Sequence, residues 1–252
     1  MPTNLRYCLL SPVAALGPAS ALLYSSQHTI MIRAVLFDLD ETLFDRTNAV
    51  ITCIRGQYNR FSVIAERASQ DEFLNCFVAL DQHGYAKREI IYEQLLDTFG
   101  LPQSLHPELI ADWHVHYLIQ GSGFAGMHEV LRMLKTAGYS LGLVTNGSTK
   151  TQQGKIDQLA IGQYFTAIVI SDTFGVRKPD PRIFQHALAE LGARADETVF
   201  VGDNPTVDIE GAQAVGMHAI WKRDAYWGHA PTADAVINDL LELPTLIHQM
   251  NQ

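Results

Sequence analysis

Val35 to Phe44 reads VLFDLDETLF, an apolar run suited to a buried strand that nevertheless carries Asp38, Asp40 and Glu41 close together. An ionised carboxylate taken out of water without a partner costs several kcal/mol, so a chain that ends a core strand on three acids must compensate for them elsewhere. Residues two apart in an extended segment project to the same side, which lets Asp38 and Asp40 face one site together. The segment therefore demands a fold in which a strand end opens onto a polar site.

Residues 46–121 carry helical periodicity, with Val50, Ile51, Ile54, Tyr58 and Phe61 on one face and Ile91, Tyr92, Leu95, Leu96 and Phe99 on another. Asp81-Gln82-His83-Gly84-Tyr85 breaks the pattern between two helices. Beyond Gly126, strand and helix alternate. A helix over Met127, Val130, Leu131 and Leu134 stops at Gly138 and leads into strand YSLGLV; a helix near Thr149–Ala160 precedes strand AIVIS. A helix with Ile183, Phe184, Ala187, Leu188 and Leu191 stops at Gly192, strand TVFVG follows, and a helix through Val215 leads into strand MHAIW. Repeated strand–helix units require right-handed crossovers and a parallel sheet covered on both faces. The expected fold is α/β, a Rossmann-like doubly wound parallel sheet formed by residues 31–45 and 122–252, interrupted once by the helical insertion 46–121.

Charge limits the partners. Eighteen Lys and Arg against 27 Asp and Glu leave a net charge of −9, with no dense basic run, which argues against nucleic acid or an anionic membrane. Cys8, Cys53 and Cys76 are widely spaced and odd in number, so neither a disulfide framework nor a zinc site is indicated and a reducing cytoplasm is expected. Residues 1–30 hold one charged residue, Arg6, and an apolar stretch broken by Pro12, Gly17 and Pro18, too interrupted to span a bilayer. They are expected to form a loosely ordered tail, with the fold opening at Met31.

Three familiar patterns fail on context. Gly138-Tyr139-Ser140-Leu141-Gly142 matches the serine-hydrolase elbow GxSxG, but that elbow follows a strand and opens a helix, whereas here a helix ends and a strand begins. Gly121-Ser122-Gly123-Phe124-Ala125-Gly126 matches GxGxxG, yet the next strand runs into Thr145-Asn146-Gly147 without the acidic residue that a dinucleotide site needs. Gly147 to Lys155 has the wrong glycine spacing for a phosphate loop, and Ile156 stands where a hydroxyl would be required.

Ligand sites in open parallel sheets form at the carboxyl ends of the strands. Those ends hold Asp38 and Asp40 after the first strand, Thr145 and Asn146 after the second, Lys178 in the loop after the third, and Asp203 with Asp208 after the fourth. Singly, each has a mundane explanation as a solvated loop charge or an early-helix acid. Together, four carboxylates against one lysine call for a cation, and an all-oxygen set suits magnesium, which binds through a few carboxylates and substrate phosphate.

This constellation resembles the haloacid dehalogenase-like superfamily: DxDxT at Asp38-Leu39-Asp40-Glu41-Thr42, Thr-Asn-Gly at 145–147, Lys178-Pro179, and GDxxxxD from Gly202 to Asp208. Glu41 stands where that family often has glycine. The resemblance covers the chain from Met31 onward and implies that 46–121 is a cap over small substrates. It implies a magnesium-dependent phosphatase acting on a small phosphomonoester, of nucleotide or sugar-phosphate class. In that reading Asp38 is the nucleophile forming an aspartyl-phosphate, and Asp40 the general acid and then base. Thr145, Lys178 and amides near Asn146 would hold the phosphoryl oxygens; Asp203, Asp38 and the Asp40 carbonyl would ligate magnesium, with Asp208 direct or through water. In the cap, Tyr85, Lys87 and Arg88 are candidate specificity residues, with Lys87 read more readily as a solvated loop charge. The alternatives are a non-enzymatic phosphoacceptor of regulatory type, and the mutase or phosphonatase chemistries of the same family.

Overall fold

A computed structural model of the chain describes residues 31–227 and 232–252. The tail expected over residues 1–30, and Cys8 within it, lie outside the described residues. The described residues form six strands, β1 (Ala34–Phe37), β2 (Ser140–Thr145), β3 (Ala167–Ile170), β4 (Thr198–Gly202), β5 (His218–Lys222) and β6 (Ala235–Ile237). They form one parallel sheet in the order β3-β2-β1-β4-β5-β6.

Strand β1 is central and buried throughout, because AVLF has apolar residues for both faces and helices cover each. Its alternate residues feed two clusters. Val35 and Phe37 face Val130, Leu131 and Ile247 on one side, while Leu36 packs with Phe184, Phe200 and Trp221 on the other. Burial of such side chains contributes roughly 1.5–3 kcal/mol each, before the entropy of ordering them is subtracted.

The strand order reverses between β1 and β4, which is where an open α/β sheet leaves a crevice at its carboxyl edge. Phe37 pairs with Val201, so Asp38 and Asp203 leave adjacent strands at nearly the same level.

Between β1 and β2, four principal helices (Arg46–Arg60, Gln70–Asp81, Arg88–Phe99 and Leu105–His116) build the inserted unit. Val50, Ile54, Ile91, Tyr92, Leu95 and Leu96 are buried, and Ile51, Tyr58, Phe61 and Phe99 pack at its margin. Asp45 caps the first helix through Asn48, and Ser69 with Glu72 forms a capping box on the second. The break at Gln82–Gly84 is a tight turn with left-handed φ at Gln82, His83 and Gly84. The chain leaves and re-enters the core side by side, since Phe44 bridges Gly123 and Asp45 donates its amide to the Ser122 carbonyl.

Strand β6 and the terminal helix Leu243–Met250 were not legible in the sequence: three residues are too few to show a period, and a short edge strand needs its neighbour β5 to exist. No helix among the described residues is long and apolar enough to cross a membrane. Cys53 and Cys76 are free thiols.

Candidate active site

At the carboxyl edge of the sheet, Lys178 Nζ donates to Asp38 Oδ1 at 2.6 Å and to Asp208 Oδ1 at 2.7 Å. Lys178 is held there by Asn146, whose amide side chain accepts from the Lys178 backbone N–H at 2.9 Å and donates to its carbonyl at 3.0 Å. Asp208 sits in the wide helical turn Pro205–Glu210, which Asn204 caps by accepting from the amides of Thr206 and Val207. The Asp208 carboxylate also accepts from the Asn204 amide at 3.1 Å. Gly202 is required for this: a Cβ there would lie 2.5 Å from Asp208 side-chain atoms.

Asp38, Asp203 and Asp208 are all buried, and one oxygen from each lies within 4.8 Å of the others. Burial, only partly offset by Lys178 and reinforced by Asp208, pushes the Asp38 carboxyl up to about 7. Burial and mutual repulsion raise Asp203 and Asp208 in the same direction. Three crowded carboxylates, two of them on Lys178, form a hard, all-oxygen donor set still short of positive charge, and such a set fits a magnesium ion.

Asp40 projects into a different network. Lys155 Nζ donates to Asp40 Oδ1 at 2.6 Å and Oδ2 at 2.8 Å, and Gln152 Nε2 donates to Oδ2 at 2.9 Å. Gln152 also donates to Thr145 Oγ1 at 2.6 Å and accepts from Lys155 at 2.9 Å. Burial works against ionising Asp40, but Lys155 and Arg46 outweigh it and hold the carboxyl below its ordinary range.

The inserted unit closes the site from above. Arg46 Nη2 donates to both carboxylate oxygens of buried Asp81, at 2.8 and 2.9 Å. His83 lies 3.5 Å from Asp224 and 3.7 Å from Asp203, its ring stacked on Tyr226 at 4.3 Å. Trp227 Nε1 donates to Asp203 Oδ2 at 2.7 Å, and Asn204 donates to Tyr85 Oη at 2.9 Å. The cleft between core and insertion, with a cavity of about 120 Å³, is lined by Asp38, Asp40, Lys178, Asp203 and Asp208 from the core and by Arg46, His83 and Tyr85 from the insertion.

The residues anticipated from strand ends therefore converge, with three qualifications. Thr145 is buried against Gln152 and does not line the cavity. The Gly147 amide donates to Ser171 Oγ at 3.1 Å, so it is engaged within the protein. Of the candidate specificity residues, Tyr85 lines the cavity but Lys87 and Arg88 do not. Lys87 is exposed just before its helix, where the stem carries the ammonium into water. Arg88 turns into the insertion's own interior, 3.2 Å from Asp81 and 3.8 Å from the Trp113 ring centroid, because the buried carboxylate and the aromatic face offer a better environment than the cleft.

The expectation of one lysine facing four carboxylates is corrected. Lys155 belongs to Asp40, and Arg46 and His83 also approach the acids, so part of the compensation is supplied by side chains. Glu41, at the position where the family often has glycine, adopts φ 56°, a left-handed conformation that glycine reaches without strain. Its carboxyl accepts from Thr47 at 2.7 Å and is pushed by burial up to about 7. Gln152 and Lys155 join the site from outside the strand ends, and their spacing of three on a helix whose Ile156 is buried is the signal in the sequence that puts them on the inward face.

The haloacid dehalogenase-like hydrolase family model matches residues 35–222. The glyceraldehyde 3-phosphate phosphatase of Pyrococcus abyssi is 31% identical over 209 residues, covering 76% of this chain and 81% of that protein. A pyrimidine 5'-nucleotidase of Streptococcus pneumoniae is 29% identical, covering 74% of this chain and 82% of its own. Among solved structures, a HAD phosphatase from Thermococcus onnurineus aligns with a TM-score of 0.61 at 25% identity, covering 86% of this chain and 98% of that one. A magnesium-bound HAD-hydrolase from Bacillus subtilis shares the fold with a TM-score of 0.69 at 21% identity, covering 86% and 99%.

Proposed function

The chain belongs to the haloacid dehalogenase-like hydrolase family, and we propose that it is a magnesium-dependent phosphatase of small phosphorylated metabolites working through an aspartyl-phosphate. The observation that carries this reading is the meeting of Asp38, Asp203, Asp208 and Lys178 at the carboxyl edge of the sheet. Its similarity to phosphatases along most of its length supports the same reaction class. Residues 31–45 and 122–252 form the catalytic core in this reading and 46–121 the cap. The small cavity suits a compact phosphate ester, and the free thiols suit a reducing cytoplasm.

Asp38 attacks phosphorus in line, the ester oxygen leaves with a proton from Asp40, which takes that proton up when the negative charge of the bound phosphate ester offsets Lys155 and Arg46, and the phosphoryl group rests on the Asp38 carboxylate. Asp40 then takes a proton from water as that water attacks phosphorus, releasing inorganic phosphate and restoring Asp38. Lys178 supplies positive charge beside the nucleophile throughout. Asp38, Asp203 and Asp208 would hold magnesium, with the Asp40 carbonyl as a further donor, and the bound ion would neutralise charge on the phosphate. The cap excludes water for the first half and admits it for the second, with hinges at 44–47 and 121–126.

The test is phosphate release from para-nitrophenyl phosphate, with and without magnesium, in wild type and Asp38→Asn. We expect magnesium-dependent turnover that chelation abolishes, and a folded Asp38→Asn protein slowed by roughly 10⁴-fold or more, the scale of losing a nucleophile. A stable phosphoprotein without steady-state product would favour the phosphoacceptor alternative, and near-normal Asp38→Asn turnover would remove the nucleophile.

A further inference from the structure

We propose that Lys155, seconded by Gln152, is the positioning residue for the acid/base carboxylate, holding Asp40 so that its Oδ1 alone is presented to the departing oxygen and later to water. The inference rests on the phosphatase reading above and goes beyond it by assigning a role to a helix that carries none of the family motifs.

Three observations support it. First, Lys155 is buried to 3% exposure on the helix Thr149–Gln158, deep beneath the site, and its ammonium sits 5.1 Å from the Phe44 ring centroid and 5.7 Å from that of Tyr117. A buried ammonium is held there only by strong partners, and its carboxylate partner is Asp40. Second, the two Asp40 oxygens are unequally engaged. Oδ2 accepts from both Lys155 and Gln152, whereas Oδ1 accepts from Lys155 alone. The oxygen with spare lone-pair capacity is therefore Oδ1, on a side chain that still reaches the cavity. Third, Gln152 is itself fixed at both ends, donating to Thr145 and accepting from Lys155, which makes the orientation of the carboxylate a property of the fold.

Gly147 belongs to the same device. Its φ of 150° and the 2.8 Å that would separate an added Cβ from Gln152 Cδ leave room only for a hydrogen there. Thr145, Gly147, Gln152 and Lys155 thus form a single unit behind Asp40, with Thr145 serving that unit through Gln152.

A positioning role separates from a merely structural one through leaving-group dependence. Breaking the P–O bond of an alkyl ester needs a proton delivered to the leaving oxygen, whereas 2,4-dinitrophenolate departs unprotonated. Hydrolysis of the aspartyl-phosphate needs the base in either case. For Lys155→Met we expect phosphoenzyme formation from an alkyl phosphate such as glycerol phosphate to slow by about 10²-fold or more, the usual scale of acid/base assistance. Formation from 2,4-dinitrophenyl phosphate should slow far less, so that a burst of dinitrophenolate stoichiometric with enzyme precedes a slow steady state while phosphoenzyme accumulates. Gln152→Leu should move both readouts in the same direction by a smaller factor, and Lys155→Arg should restore part of the alkyl-ester rate. Should Lys155→Met fail to fold by circular dichroism, the Gln152→Leu and Lys155→Arg kinetics decide alone. Equal slowing of both esters, with no burst and no accumulated phosphoenzyme, overturns the role of Lys155. Wild-type protein run in parallel isolates the premise, because a wild type without magnesium-dependent phosphate release would overturn the phosphatase reading instead.

Discussion

Lys178 Nζ lies 2.6 Å from Asp38 Oδ1, joining a loop after the third strand to the end of the first, with both residues almost wholly out of solvent. The same ammonium holds Asp208, so one cation serves two buried acids. Removing one partner of a buried ionic group costs about 3–5 kcal/mol, because the remaining charge is stranded. Lys178→Met in metal-free protein should lose stability on that scale in urea unfolding, and magnesium should return part of it. An unchanged midpoint would mean that the carboxylates take up protons instead.

Magnesium itself should stabilise the wild type. A ligand that binds only the folded state at 100 times its dissociation constant adds about 2.7 kcal/mol, which a thermal melt resolves easily. Asp203→Asn removes a carboxylate from the three-acid group and should abolish most of the rise. A rise retained in that variant would place the ion elsewhere.

Gly202→Ala tests the close approach between β4 and the turn carrying Asp208. The new methyl would sit 2.5 Å from Asp208 side-chain atoms that are themselves buried and bonded to Lys178. Overpacking of this kind costs about 1–3 kcal/mol, and here it also displaces an acid of the site. Both stability and phosphate release should fall, measured by urea unfolding and by turnover at saturating magnesium.

His83 should show a pH dependence in the metal-free protein. Burial disfavours its charge, but Asp203 and Asp224, with help from Glu41, overcome this and raise the imidazole from 6.5 to about 9. A group with a raised folded pKa contributes stability in full below its unfolded value and loses that contribution as pH rises through the folded one. The His83 contribution is thus complete below pH 6.5 and lost by about pH 9. The ring should titrate near that upper value by NMR, and His83→Gln should lack the corresponding fall in stability. A ring that titrates near 6.5 would show that the carboxylates do not hold it.

Much of this protein was readable along the chain. Alternating apolar runs and glycine-stopped helices determined a parallel α/β sheet, and acids and a lysine recurring at strand ends determined which carboxyl edge would carry the chemistry. Both follow from local physics, since period, capping and strand polarity act over a few residues. What spacing could not determine was partnership. Lys155 and Asp40 are 115 residues apart, and His83 reaches Asp203 from another layer of the molecule. Arg88, adjacent to the break that lines the cavity, turned inward onto Asp81 and Trp113. Only the folded packing decides which buried charge meets which, because the cost of an unpaired ion is settled by whatever lies within a few ångströms of it, however distant along the chain.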